Sequence, residues 1–479
     1  MTDPVSPAAL PAGPAAGPSF SQLPLSAAML ANLQTLGYLA MTPIQAAALP
    51  LALAGHDLVA QAATGSGKTA AFALALLHRL DGRRQDGPPR TQALVLCPTR
   101  ELAEQVTQEI RRLARAEDNT KVLTLCGGTP IKPQTDSLAH GAQVVVGTPG
   151  RIVDHLERGS LQLDALATLV LDEADRMLDM GFAEDIATIG SRCPKVRQTL
   201  LFSATYPDGL AQISRRFLRD PQEVTLTAQP SAAKIRQRFY QVADDQRLHA
   251  VGLLLNHWRP ERTLAFCNTK ASCRDLVAVL QAQGIAALAL HGDLEQRERD
   301  QVLIQFTNRS CPVLVATDVA ARGLDIVGLE AVVNVDVTPD AEQHIHRVGR
   351  TGRADAEGWA FSLASLDEMG RVGRIEQLQG REFEWFPLDG LTPTGSGPLR
   401  APMVTLQILG GRKEKIRAGD VLGALTGDGG LPAAQIGKIN VNEFSTYVAV
   451  AREIATKALK ALNDGKVKGK KVKARAVDT

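Results

Sequence analysis

Two short stretches carry residues fit for chemistry. Residues 64–69 read TGSGKT, and about a hundred residues later 169–175 read LVLDEAD. The first follows the apolar DLVAQAA and precedes the helical AAFALALLHRL. In that strand, glycine loop, helix context, backbone N–H groups cradle phosphate oxygens at a helix N-terminus. Ala63, Thr64, Gly65, Ser66 and Gly67 would form the cradle, Lys68 would reach the terminal phosphates, and Thr69 would help hold Mg²⁺. Ala62 occupies the first glycine of the general GxxxxGK[ST] pattern, but GSGKT in this context makes a purely structural turn a poor rival. The second stretch ends an apolar run on three carboxylates in four positions. By itself that reads as a solvated turn whose acids favour a helix N-terminus. Beside a phosphate loop in the same α/β unit, Mg²⁺ carried by ATP supplies the positive charge. Asp172 would then hold the ion, and Glu173 would orient or deprotonate the attacking water.

The elements that must position these residues alternate along the chain. Apolar runs such as ALVLCP, VLTLCGG, AQVVVGTPG, TLVLDEAD and QTLLFSAT are separated by amphipathic helical patterns such as TRELAEQVTQEIRRLAR. This alternation predicts a parallel sheet buried on both faces, with ligands bound at the carboxyl ends of its strands. After the break TAQPSAAK the pattern restarts with TLAFCNTK, AALALHGD, PVLVATDVAARG and AVVNVDV, a second α/β unit without a GKT loop. A Gly/Pro-rich stretch, DGLTPTGSGPLRAP, then leads to a segment with βαββαβ-like spacing. The predicted boundaries are a disordered Pro/Ala-rich tail 1–18, units 19–226 and 233–388, a linker 389–402, and a small α+β domain 403–479. That last spacing suits a ferredoxin-like sheet, the architecture of RNA-recognition modules, although other small α+β folds share it.

Composition narrows the class. Of 479 residues, 44% are hydrophobic and 22% charged, as in ordinary soluble proteins. No apolar run approaches a membrane span, and the N-terminus lacks the basic and apolar regions of a secretory signal, so a cytoplasmic protein with no membrane partner is expected. Cys97, Cys126, Cys193, Cys267, Cys273 and Cys311 form no CxxC pair and read as reduced, buried thiols. The net charge of +2 conceals an imbalance: residues 401–479 hold 14 Lys/Arg against 7 Asp/Glu. That end reads as a polyanion-binding module.

Taken together, the motifs resemble those of the DEAD-box RNA helicases. Beyond the two stretches above, GYLAMTPIQ (37–45), CPTREL (97–102), GG (127–128), TPGR (148–151) and SAT (203–205) follow in that family's order. HGDLEQRER (291–299), ATDVAARGLD (316–325) and HRVGRTGR (346–353) follow in the second unit, so the resemblance spans about residues 20–390. It implies two tandem RecA-like domains. It further implies that Tyr38 stacks on adenine while Gln45 hydrogen-bonds its edge, that Asp325 touches the ribose, and that Arg350 and Arg353 reach the γ-phosphate. Met41 stands where the family usually has proline. By the same resemblance Asp175, Ser203 and Thr205 couple hydrolysis to domain contacts, although locally they read equally well as caps and turn hydrogen bonds. RNA would lie on Thr99, Arg100, Gly128, Thr148, Arg151, Gln296, Arg299 and Thr317, through amides, hydroxyls and arginines that read no sequence.

The arrangement GDVLGALTGDGGL, IGKINV, STYVAVAR and a lysine-rich end looks like the terminal domain of one bacterial branch of the family. That likeness implies capture of a hairpin of 23S rRNA and a role in large-subunit assembly, by a monomer. Charge alone nominates Arg412, Lys413, Lys415, Lys470 and Lys471 as its RNA contacts. STYVAV offers a single aromatic, so edge or loop contacts are expected rather than stacking on the sheet face. Two rival readings are an ATP-gated RNA clamp without productive unwinding, and a DNA translocase, which the Gln45 motif and the RNA-type module oppose.

Overall fold

The structure is a computed structural model that describes residues 17–62, 65–80, 88–116, 120–206, 208–226, 235–321, 328–352, 357–395 and 397–477. Two compact units divide the chain near residue 229.

The first unit is built on seven strands: β1 (Leu58–Gln61), β2 (Ala93–Leu96), β3 (Val122–Leu125), β4 (Val144–Gly147), β5 (Thr168–Leu171), β6 (Gln198–Ser203) and β7 (Gln222–Thr225). They pair in parallel in the order β3-β4-β2-β5-β6-β1-β7. Most central strands are buried along their whole length, which is why they read as unbroken apolar runs rather than alternating ones. One core, including Phe72, Phe202 and Val95, fills one face of the sheet; the other includes Leu169, Ile186 and Leu201.

The second unit repeats the architecture with β8 (Ile235–Gln241), β9 (Thr263–Cys267), β10 (Ala287–Leu290), β11 (Val313–Thr317), β12 (Ala331–Asn334), β13 (Gly358–Ala364) and β14 (Trp385–Phe386). Their order, β10-β11-β9-β12-β13-β8-β14, is the same permutation, again all parallel. Both sheets are RecA-like.

The same unit also holds a small antiparallel sheet of β15 (Met403–Ile408), β16 (Ile436–Val441), β17 (Thr446–Ala451) and β18 (Ala474–Ala476), in the order β16-β17-β15-β18. With helices Ala418–Gly423 and Ala455–Asp464 this is the ferredoxin-like arrangement expected. One face packs Leu406, Ile408, Val448 and Val450 against those helices. The other face meets the second RecA-like domain. Tyr447 and Val477 pack on Ile304, Asn308 Nδ2 donates to Thr405 Oγ1 at 3.2 Å, and Ser310 Oγ lies 2.6 Å from Thr405 Oγ1.

The predicted linker is fastened along its length. Thr394 Oγ1 donates to the His257 carbonyl at 2.6 Å, Arg259 Nη1 donates to the Gly397 carbonyl at 3.2 Å, and Leu399 enters the RecA-like core. The predicted tail lies outside the described residues up to position 16.

Candidate active site and RNA-facing edges

The carboxyl ends of β1, β5 and β6, neighbours in the sheet, converge on one place. After β1 the loop turns through Gly65 and Gly67, at φ 82° and 97°, into helix Lys68–His78. A Cβ at Gly67 would lie 2.6 Å from Gln45 Nε2, so glycine is demanded by space as well as by backbone conformation. Gln45 is 1% exposed; its Oε1 accepts from the Thr42 N–H at 2.9 Å, and its Nε2 donates to the Gly67 carbonyl at 3.1 Å. The residue nominated for the adenine edge therefore also braces the phosphate loop, with one amide hydrogen and one lone pair still to offer. Tyr38 donates to Glu109 through its hydroxyl and meets Phe20 edge-on. Burial, with the Glu109 carboxylate second, raises its phenol far above the usual range.

Lys68 is buried and donates to the Ala62 carbonyl at 2.8 Å. Asp172, directly after β5, is 3% exposed. Burial pushes its carboxyl up to about 7, against the pull of Lys68. Glu173 adopts φ 52° and ψ 51°, a left-handed conformation costing on the order of 1 kcal/mol for a non-glycine residue. Its carboxylate pairs with Arg176 Nη1 at 2.7 Å, both side chains being buried. Arg176 was absent from the sequence candidates; its signal was the three-residue spacing to Glu173 at the start of a helix.

Asp175, Ser203 and Thr205 are brought together. Asp175 Oδ2 accepts from the Thr205 N–H at 2.9 Å and hydroxyl at 3.0 Å, and Ser203 Oγ accepts from the Asp175 N–H at 3.3 Å. Burial pushes the Asp175 carboxyl up, but these hydrogen bonds outweigh it and hold the group below its usual range.

The site suits a magnesium nucleotide. The Ser66 hydroxyl oxygen is shielded from solvent without a partner, in the loop that leads into helix Lys68–His78. Among the described residues no group of three metal-ligating side chains exists, so an ion here would draw most of its ligands from phosphate and water, with Asp172 and Thr69 contributing. Ala63 and Thr64 lie outside the described residues.

The neighbouring edge β3-β4-β2 gathers the first set of RNA candidates at its carboxyl ends. Thr99 caps helix Arg100–Leu113 by accepting from the Leu102 N–H at 3.3 Å, while Thr148 stands at the N-terminus of helix Pro149–Glu157. Arg100 pairs with Glu104 at 3.3 Å, and Gly128 takes φ 74°. Arg151 donates through Nη2 to the Thr129 carbonyl at 3.1 Å, leaving Nη1 shielded and without a partner. In the second sheet the equivalent edge, β10-β11, carries the other set. Gln296 opens helix Gln296–Thr307 and donates to Asp300 at 2.7 Å, Arg299 donates to the Ala320 carbonyl at 2.7 Å, and Thr317 ends β11.

Arg350 is buried just after helix Ala341–Val348, while Arg353 and Asp325 lie outside the described residues. Arg347 of the same motif is 1% exposed and clamps Asp318 through Nε at 2.7 Å and Nη2 at 2.6 Å, so it holds the domain together. Arg412, Lys413, Lys415, Lys470 and Lys471 are all exposed at one end of the small sheet. There Lys413 pairs with Glu443 at 3.4 Å and Lys470 bonds across a tight turn to Val467. The six cysteines are free and buried.

A phosphate loop on one RecA-like domain, a repeat of that domain without the loop, and an appended α+β module define a helicase-type ATPase. Family models agree: the DEAD/DEAH box helicase matches residues 42–213, the helicase conserved C-terminal domain 246–355, and the DbpA RNA binding domain 405–476. The chain is 51% identical over 454 residues to the ATP-dependent RNA helicase DbpA of Escherichia coli, covering 94% of this chain and 97% of that one. It is 41% identical to the ATP-dependent RNA helicase CshA of Listeria monocytogenes, covering 81% of this chain and 74% of that one. Among solved structures, Saccharomyces cerevisiae Dbp5 bound to RNA and ADP BeF3 superposes with a TM-score of 0.69 at 30% identity, covering 78% of this chain and 96% of that one. The chain belongs to the DEAD-box ATP-dependent RNA helicases, and its activity is that of an ATP-hydrolysing RNA helicase.

Proposed function

We propose that this helicase locally unwinds ribosomal RNA during large-subunit assembly, directed by its C-terminal module to a hairpin of 23S rRNA. The observation carrying this reading is the module itself: a compact sheet seated on the second RecA-like domain, with Arg412, Lys413, Lys415, Lys470 and Lys471 exposed together at one end. The same module forms part of a whole-length likeness to a DbpA helicase.

In this reading the Gly65–Thr69 loop and Lys68 bind the triphosphate, Gln45 and Tyr38 select adenine, and Asp172 with Thr69 holds Mg²⁺. The ion supplies charge neutralisation at the transferring phosphoryl group. Glu173, held by Arg176, orients or deprotonates the attacking water; Arg350 and Arg353 stabilise the transition state, and Asp325 holds the ribose. Single-stranded RNA lies along Thr99, Arg100, Gly128, Thr148 and Arg151, then Gln296, Arg299 and Thr317. The Asp175–Ser203–Thr205 cluster links hydrolysis to domain movement. No helix among the described residues is long and apolar enough to cross a membrane. The proposed setting is the cytoplasm, and the proposed form a monomer.

ATPase activity with hairpin-containing 23S rRNA against unrelated RNA tests the targeting. The intact chain should respond far more strongly to the hairpin, and removal of 401–479 should erase that preference while leaving the core folded. Equal stimulation of both proteins by the hairpin would overturn it. Strand release from a hairpin-tethered duplex tests unwinding; ATP-dependent grip without release would instead identify a clamp.

A further inference from the structure

RNA-recognition sheets take unpaired bases on exposed aromatic rings, so the fate of each aromatic ring decides what a module can stack. Residues 401–479 contain two, Phe444 and Tyr447. Tyr447, on the sheet face, is 4% exposed. It packs on Ile304 of the RecA-like domain and on Val477, and its hydroxyl accepts from Gln407 Nε2 at 3.0 Å. No base reaches that ring while the module is docked. Phe444 is the reverse case: it lies in the turn between β16 and β17 and is 61% exposed.

A solitary exposed aromatic needs no special cause. This one, however, is held in place and has a lysine on one face. The Asn442 N–H donates to the Ser445 carbonyl at 2.8 Å, closing the turn. The Arg412 N–H donates to the Asn442 carbonyl at 2.9 Å and the Lys413 N–H to the Glu443 carbonyl at 3.0 Å, lashing the turn to the basic loop. A Cβ at Gly411 would come within 2.3 Å of the Asn442 carbonyl oxygen, so glycine permits that approach. Lys413 Nζ sits 4.2 Å from the Phe444 ring centroid, a cation–π contact that covers one face of the ring. Glu414, which accepts from the Gly411 N–H at 2.7 Å, feels both Lys413 and Lys470, so the lysine turn Val467–Lys470 borders the same end.

We propose that Phe444 is a stacking platform for one unpaired RNA base, its open face taking the base while Lys413, Arg412 and Lys470 hold the flanking phosphates. A hairpin loop supplies an unstacked base beside closely spaced phosphates; a continuous duplex does not. The ring is preorganised by its hydrogen-bonded turn, so little order has to be imposed on binding. This inference rests on the module being the RNA-binding end of the molecule, and it adds the recognition element that charge alone lacks.

The test uses the full chain, a hairpin RNA with an unpaired purine-rich loop, and the same stem as a blunt duplex. Phe444→Ala should weaken hairpin binding about five- to fifty-fold, within the range of base–aromatic stacking, and leave duplex binding unchanged. Phe444→Tyr should restore it. The salt dependence should keep its slope in Phe444→Ala but fall by about one in Lys470→Ala. If Phe444→Ala binds the hairpin normally, or loses hairpin and duplex equally, stacking is wrong. Should Lys470→Ala weaken binding while Phe444→Ala does not, the basic end still binds RNA and only the stacking falls. If neither change matters, the RNA-binding role of the module falls with it.

Discussion

The two RecA-like sheets share one strand order and differ in what they place at matching positions. In the first, Lys68 opens the helix after the first strand, and Asp172 follows β5. In the second, Arg247 opens the corresponding helix; after the corresponding strand β12, Val335 stands where the first has Asp172, and Asp336 where it has Glu173. Arg247 is satisfied internally: Nη2 pairs with Asp244 at 2.6 Å and Glu368 at 2.7 Å, and Nη1 donates to the Val335 carbonyl at 2.8 Å and lies 3.7 Å from Asp336. Among the described residues Asp172 has no arginine partner, and burial pushes its carboxyl up to about 7. A charge left short of a partner is what a site retains for a ligand; one fully matched has become structure. The same fold thus makes a nucleotide site once and a self-neutralised copy once.

Four substitutions probe that contrast. Lys68→Ala should abolish turnover, by on the order of 10³–10⁵-fold, without unfolding the domain; retained hydrolysis, measured as phosphate release, would show the phosphates lie elsewhere. Arg247→Ala should spare ATP binding but cost about 3 kcal/mol of stability, because buried Glu368 would lose its nearest cation and keep only Arg371 at 3.6 Å. Trp258, Trp359 and Trp385 all lie in the second domain, so their fluorescence during urea unfolding reports this loss selectively.

Acid sharpens the comparison next. Burial, with Arg347 nearby, pushes the His344 imidazole from its usual 6.5 down to about 3, where it packs beside Phe239 and Phe383. A histidine depressed on folding stabilises fully above pH 6.5, and that contribution drains away as pH falls toward 3. Between pH 7 and 5 the second domain should lose about 2 kcal/mol, and His344→Leu should flatten the slope seen by tryptophan fluorescence. The smallest effect is expected at the small sheet. Thr405→Val removes the oxygen shared by Asn308 and Ser310 and should weaken docking by about 1 kcal/mol, read as faster independent tumbling of residues 403–477.

Much of the fold is legible in the sequence. The apolar runs of buried parallel strands are local signals, and the two parallel sheets they predict are present. What escaped was non-local. The bond between Gln45 and Gly67 joins residues 22 apart, and the Arg247–Glu368 pair spans 121, so neither leaves a periodic trace. The two-residue strand Trp385–Phe386 is too short to show alternation. The burial of Tyr447 under a neighbouring domain pressed on the sheet likewise has no expression in STYVAV. Gly and Pro mark 389–402 as a linker, but the hydrogen bonds of Thr394 and Arg259 that tie it down are again non-local.

That tied-down stretch changes what the appended module is. A slack leash would let captured RNA sample a wide volume, diluting the benefit of capture as the tether lengthened. A strap riveted at Thr394, Gly397 and Leu399 acts as a bracket, presenting its cargo at a set bearing to one lobe of the motor. Insertions into 389–402 should matter little until the rivets themselves give way.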